Sequence, residues 1–194
     1  MQNWKRRYYY EKFLALFLSA LLTLSLVVSS VLATSQNDSL YGPYDSFKEL
    51  YDAYFEAVRD GDEEKQAELM DIARDSLYKE IALSEAQSVQ PLYDPEEQYW
   101  LAQFPIYFSY GRFEERSDGW TLSLGAKNSG YWTDTDKSNG WNATFFKFYE
   151  HPQWDNTDIM KEQFYCHARL FYSSIETEWN LEPWRTKMNF ITCN

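Results

Sequence analysis

The sequence predicts an α+β chain: an N-terminal helical hairpin followed by a small antiparallel-sheet domain with short helices and one disulfide. Three observations carry that expectation. From Phe47 to Ile81, apolar residues recur at spacings of three and four, the period of one helix face. From Ile106 to Leu124 they alternate on either side of Ser117-Asp118-Gly119, a hairpin signal. The only two cysteines, Cys166 and Cys193, stand 27 positions apart in the last block.

Residues 1–33 read as a signal peptide or signal anchor. Lys5, Arg6, Arg7 and Lys12 precede an uncharged stretch from Phe13 to Leu32, and Val31-Leu32-Ala33 is a small-residue cleavage pattern. The chain is therefore expected to be secreted after cleavage near Ala33, or anchored in the membrane by residues 13–32 with the rest outside. No cysteine ends the segment, so a lipid anchor has no support there. Without residues 1–33, 14 Lys+Arg face 29 Asp+Glu, a net charge of −15. That charge repels phosphate backbones and anionic lipid, which argues against nucleic acid and against membrane contact beyond the N-terminal segment.

Residues 34–44 form a polar linker, and 45–98 an acidic helical hairpin with its connector. Ser46-x-x-Glu49 is a capping box, and Phe47, Leu50, Tyr51, Tyr54, Phe55 and Val58 share one stripe. Asp60-Gly61-Asp62 interrupts it, and Met70, Ala73, Leu77 and Ile81 resume it. From Asp45 to Glu85, 13 acidic residues stand against five basic ones, which suits a solvated outer face or a docking arm for a cationic partner. Pro91, Asp94-Pro95 and Glu96-Glu97 place a boundary, and 99–194 read as a tryptophan-rich, disulfide-stapled domain.

In that domain, Ile106, Phe108 and Tyr110 predict one strand, and Trp120, Leu122 and Leu124 its antiparallel partner. Trp141, Phe145 and Phe148 recur at helical spacing behind Asn139-Gly140 as a start, and a second short helix is expected to open at Asn156-Thr157-Asp158 and run towards Gln163. Ala168 to Tyr172 and Met188 to Thr192 read as strands. In an exported chain Cys166 and Cys193 have only each other to pair with, a bridge contributing about 3–4 kcal/mol in the chain-entropy account. The alternative is two free thiols.

Chemistry concentrates in Trp179-Asn180-Leu181-Glu182-Pro183-Trp184-Arg185. Pro183 holds Glu182 extended, making a non-helical corner. Trp179, Asn180, Trp184 and Arg185 are the ligand-binding candidates, as an aromatic platform with donors; the competing reading has both tryptophans plugging the core, with Arg185 over an indole and Glu182 neutralising it. Glu182, His167 and Arg185 are the candidates for catalysis, with Glu178 or Asp158 as a second carboxylate for glycan hydrolysis. His151, before Pro152, is weaker still. Two histidines sixteen residues apart, with no His-x-x-x-His or paired-cysteine spacing, make no case for a metal, and no cofactor motif is present. Gly-rich phosphate loops and Gly-x-Ser-x-Gly elbows are absent from the sequence.

Gln163-Phe164-x-Cys166-His167, the Trp179 to Arg185 run and the closing Cys193-Asn194 together resemble a bacterial exported family described as domain of unknown function 2599, over about Trp120 to Asn194. Thr186 stands where that family often has proline. The resemblance implies an exported bacterial domain and supplies no activity. The expected function is thus a non-enzymatic binding module at or outside the cell envelope, its partner a glycan, peptide or protein. The alternatives are a small secreted glycan hydrolase and a secreted inhibitor or regulator docking through the acidic hairpin.

Overall fold

Helix formation begins where Ser46 turns extended (φ −152°, ψ 159°) and its Oγ accepts from Glu49 N–H. The Glu49 carboxylate reaches back to Asp45 N–H at 3.0 Å, so the box closes one residue earlier than the motif implies. The computed structural model describes residues 39–88, 96–127 and 132–194, and Leu40–Asn194 forms one unit. The leader (1–33), most of the linker and the Pro91 to Pro95 connector lie outside the described residues.

Helix α1 (Phe47–Asp60) buries Phe47, Leu50 and Ala57, while Val58, at the end of the expected stripe, is exposed. Gly61 stops it in the left-handed conformation (φ 70°), and Asp62 caps α2 (Glu63–Ala86) by accepting from Lys65 N–H at 2.9 Å. Leu69, Ala73, Leu77 and Ile81 of α2 are buried, as the periodicity requires. The acidic outer faces carry short-range pairs such as Lys48–Asp52 and Arg74–Asp71. Helix α2 also packs on two later helices, which joins the hairpin to the sheet-bearing part.

Helix α3 (Glu96–Tyr107) corrects the strand expected from Ile106. Trp100, Phe104 and Tyr107 are buried at spacings of four and three, and this apolar face carries the helix through Pro105. Ile106 is left 53% exposed, so the alternation at 106, 108 and 110 was no strand face at its start. Strand β1 (Phe108–Arg116) turns at Ser117-Asp118 into β2 (Gly119–Ala126), with Arg116 opposite Gly119. A third strand, β3 (Glu178–Leu181), pairs antiparallel with β2, giving the order β1-β2-β3.

Helix α4 (Asp134–Phe148) starts five residues before Asn139, a second correction. Thr133 and Asp136 form a reciprocal capping box, and Asn139-Gly140 lies inside the helix. Gly140 is there for packing: a Cβ would stand 2.5 Å from the Trp132 ring. Helix α5 (Thr157–His167) opens where expected, behind Asn156 at φ 47°, and continues past Gln163 through the buried Phe164, Tyr165 and Cys166. The strand expected at Ala168 to Tyr172 is instead the last turn of α5 and helix α6 (Leu170–Ile175), with Ala168 and Tyr172 buried four residues apart. The strand expected at Met188 to Thr192 is a turn, because the Asn189 Oδ1 accepts from the N–H groups of Ile191 and Thr192. Cys166 and Cys193 are joined in a disulfide. Among the described residues no helix is long and apolar enough to cross a membrane.

Candidate functional site

Strand β3 is four residues long, and its pleat sorts the predicted site. Trp179 and Leu181 point inward and are fully buried, while Glu178 and Asn180 face outward. Trp179 packs 4.9 Å from Trp132 and 5.4 Å from Phe164, ring centre to centre. It is a core residue and cannot serve in a surface platform.

The outward face gathers residues from all three strands. Tyr110, Arg112, Glu114 and Arg116 of β1 alternate with inward residues, and the register sets Arg112 beside Ser123 and Ser123 beside Asn180. The Arg116 guanidinium is the hub. Its Nη2 donates to Asn180 Oδ1 (2.9 Å), Ser123 Oγ (3.1 Å) and Glu178 Oε1 (3.3 Å), and lies 3.7 Å from Glu114 Oε2. The Ser123 hydroxyl reaches Asn180 Oδ1 at 3.0 Å and Glu114 Oε2 at 3.3 Å. Tyr110 donates its phenol proton to Glu178, Arg112 donates to Glu114, and the Arg112 guanidinium stacks 4.6 Å above the Tyr110 ring.

These contacts set the electrostatics. The hydrogen bond from Arg112 holds the Glu114 carboxyl below its ordinary range, and the bond to Glu178 raises the Tyr110 phenol above its own. Both signs of charge are present and paired, with the Arg116, Glu114 and Glu178 side chains a little over one third exposed and that of Arg112 just over one half. Exposed ion pairs of this kind contribute about 0–1 kcal/mol each, so a ligand's hydroxyls or amides can replace them at small cost.

Trp184 and Arg185 complete the face at the hairpin turn. The Trp184 indole is 41% exposed and lies against Gly119, where a Cβ would meet it at 2.6 Å. Arg185 stacks 4.8 Å over that indole and donates to the Glu182 carboxylate. Asn156 on α5 donates to the Arg185 carbonyl and ties the corner down.

The three catalytic candidates do not converge: Glu182 and Arg185 pair with each other, and among the described residues His167 is bonded to neither. Glu182 is 8% exposed, engaged by Arg185, with its own N–H donating to Gln163 Oε1 at 2.7 Å. His167 is 4% exposed, 2.7 Å from Glu176 through Nδ1, and stacked on Trp179 at 6.2 Å. Neither a hydrogen bond nor an ion pair among the described residues joins His167 to Glu182 or Arg185. Cys166 beside it is in the disulfide and unable to act as a thiolate. His151 stacks on Phe113 at 4.2 Å, and Asp158 sits in the first turn of α5. No cluster of three or more potential metal ligands occurs among the described residues.

Tyr110, Arg112, Glu114, Arg116 and Ser123 escaped the sequence reading. The period of two from 110 to 116 carries the signal for the four on β1, since every second residue there is large and polar or ionisable.

No curated protein and no solved structure matches the chain. The family model described as "Protein of unknown function (DUF2599)" matches residues 110–192, a stretch that holds every residue of the outward face and the disulfide partner Cys166. The resemblance drawn from Gln163 to Asn194 is thereby borne out over residues 110–192.

Proposed function

We propose that this chain is an exported, non-enzymatic binding module that holds a polyhydroxylated polymer at or outside the cell envelope on the outer face of its sheet. The observation that carries the reading is the half-exposed Trp184 indole at the end of a face of paired, exchangeable hydrogen-bonding groups. A sugar ring stacks on the indole and its hydroxyls take over bonds now made among Arg116, Asn180 and Glu178. Export rests on the sequence of residues 1–33, and a bacterial setting on the family resemblance.

Hydrolysis is disfavoured because Glu182, the carboxylate proposed for it, is engaged by Arg185 and His167 is buried against Glu176. An acidic docking arm is a weaker reading, because the hairpin's exposed acids are partly neutralised by their own lysines and arginines.

Co-sedimentation of the full chain with isolated bacterial cell walls, with the supernatant assayed for released sugars and peptides, tests this. Pelleting without release, lost in Trp184→Ala and Asn180→Ala, is the expected result. Release abolished by Glu178→Gln in a folded protein would make it an enzyme and sink the proposal. Pelleting that both substitutions leave intact would move the site elsewhere.

A further inference from the structure

A second concavity lies away from the sheet's outward face, between α2, the start of α4 and the residue before α6. It measures about 390 Å³ and is lined by Tyr41, Glu80, Trp132, Asp134, Lys137 and Arg169, with Gln87 at its exposed rim. Three of its charged residues are more than nine-tenths buried: Glu80 (4% exposed), Lys137 (8%) and Arg169 (1%).

The two cations differ in what they have left to give. Arg169 is spent on structure: it donates to Ala73 O (3.0 Å), Ser76 Oγ (2.9 Å) and Phe190 O (3.3 Å), pairs with Glu80 at 3.3 Å, and covers the Phe47 ring. It clamps α2 to the C-terminal turn. Among the described residues Lys137 has two contacts, both long: Asp134 Oδ1 at 3.3 Å and Glu80 Oε2 at 3.7 Å. Close ammonium–carboxylate bonds run at about 2.7–2.9 Å, so a buried ammonium with three protons is under-satisfied here. Asp134 is also loosely held, with Ser84 Oγ at 3.4 Å. Lys137 and Asp134 therefore offer a donor and an acceptor side by side, facing a space large enough for a small molecule.

The lining fixes the ligand's charge. Glu80 and Asp134 balance Lys137 and Arg169, so a charged ligand gains no net attraction to offset its desolvation. A neutral molecule that both donates and accepts loses little and shortens the network, with the Trp132 indole and the Tyr41 ring as apolar walls.

The geometry points to a small-ligand site in this pocket for a neutral, polyhydroxylated ring the size of one sugar unit, held chiefly by Lys137 and Asp134. It is separate from the sheet face and does not depend on the polymer-binding reading.

Calorimetric titration of the full chain with glucose and N-acetylglucosamine tests it, with alanine as a zwitterionic probe and acetate as an anionic one. At least one neutral sugar binds. Lys137→Met weakens it by about tenfold or more, and Gln87→Ala at the exposed rim weakens it by about threefold. Should Lys137→Met fail to fold, Gln87→Ala decides. The proposal is overturned if neither sugar binds, if alanine or acetate binds in preference, if both pocket substitutions leave binding unchanged, or if Trp184→Ala abolishes it. That last result would place the sugar on the sheet face.

Discussion

The two faces of the three-stranded sheet are built from the same strands and share nothing in their chemistry. Inward, Phe113, Leu122, Leu124, Trp179 and Leu181 meet a packed set of rings from α3, α4 and α5. Outward, Tyr110, Arg112, Glu114, Arg116, Ser123, Glu178 and Asn180 bond mainly to one another. Dry packing is hard to exchange, since a displaced ring leaves a void. A half-wet polar face exchanges partners readily. Stability accordingly resides on one face and the capacity for recognition on the other, one residue apart along each strand.

The largest contrast is between neighbours. Trp179→Ala should cost about 3–5 kcal/mol in urea unfolding, because it empties the centre of the ring cluster. Asn180→Ala should stay within about 1 kcal/mol while weakening wall binding. If Asn180→Ala destabilised as much as Trp179→Ala, the outward network would be structural and the division would fail.

Replacing Cys166 and Cys193 by serine should lower stability by about 3–4 kcal/mol, the loop-closure contribution of a 27-residue separation. Wall binding by the fraction that remains folded should be unchanged, since the bridge joins the end of α5 to the C-terminal turn. Loss of binding at full folding would show that the bridge also sets the outward face.

The same small substitution can be made on each side. At Gly111 a Cβ would stand 2.7 Å from Phe148 and 2.8 Å from Phe104, both buried, so Gly111→Ala should cost about 1–3 kcal/mol. At Gly125 it would stand 2.4 Å from the half-buried Tyr110 ring, which can swing into solvent. Gly125→Ala should therefore cost less, and should free the Tyr110 phenol from Glu178 so that its pKa falls back towards 10.0, measurable by NMR titration.

The smallest effect is that of pH. The folded Glu114 carboxyl is held below its ordinary value of 4.5 by Arg112, so its stabilising contribution is present above that value and fades as pH falls through the lowered one. NMR should show Arg112→Ala raising the Glu114 midpoint. An unmoved midpoint would mean that Arg112 is not its partner in solution.

How legible each part was in the sequence follows from the range of its interactions. The helical hairpin is written in local terms: a cap at Ser46, a breaker at Gly61 and a second cap at Asp62. The Ser117-Asp118 turn is local too. The start of helix α4 was not legible because Asn139-Gly140 looks like a start, whereas the helix opens six positions before Gly140 at Asp134, and Gly140 serves the close approach of Trp132. β3 was missed because a four-residue strand exists only by pairing with β2, more than fifty residues earlier.

The candidate site divides along the same line. Sequence could name Asn180, Trp184 and Arg185 as well as Trp179, but Trp179 and Trp184 look alike until the pleat buries one and the turn at Pro183 exposes the other. Glu80, Lys137 and Arg169 came from three separate segments and had no shared motif.

By itself, the sequence determined the α+β class, the helical hairpin, the β1–β2 turn, the cysteine pair and the family resemblance, because periodicity, caps and short motifs act over a few residues. Tertiary structure alone decided which tryptophan is core, which polar residues share a face and which charges are buried together. Those depend on pairing and packing between segments far apart in the chain, whose free energy no local pattern records.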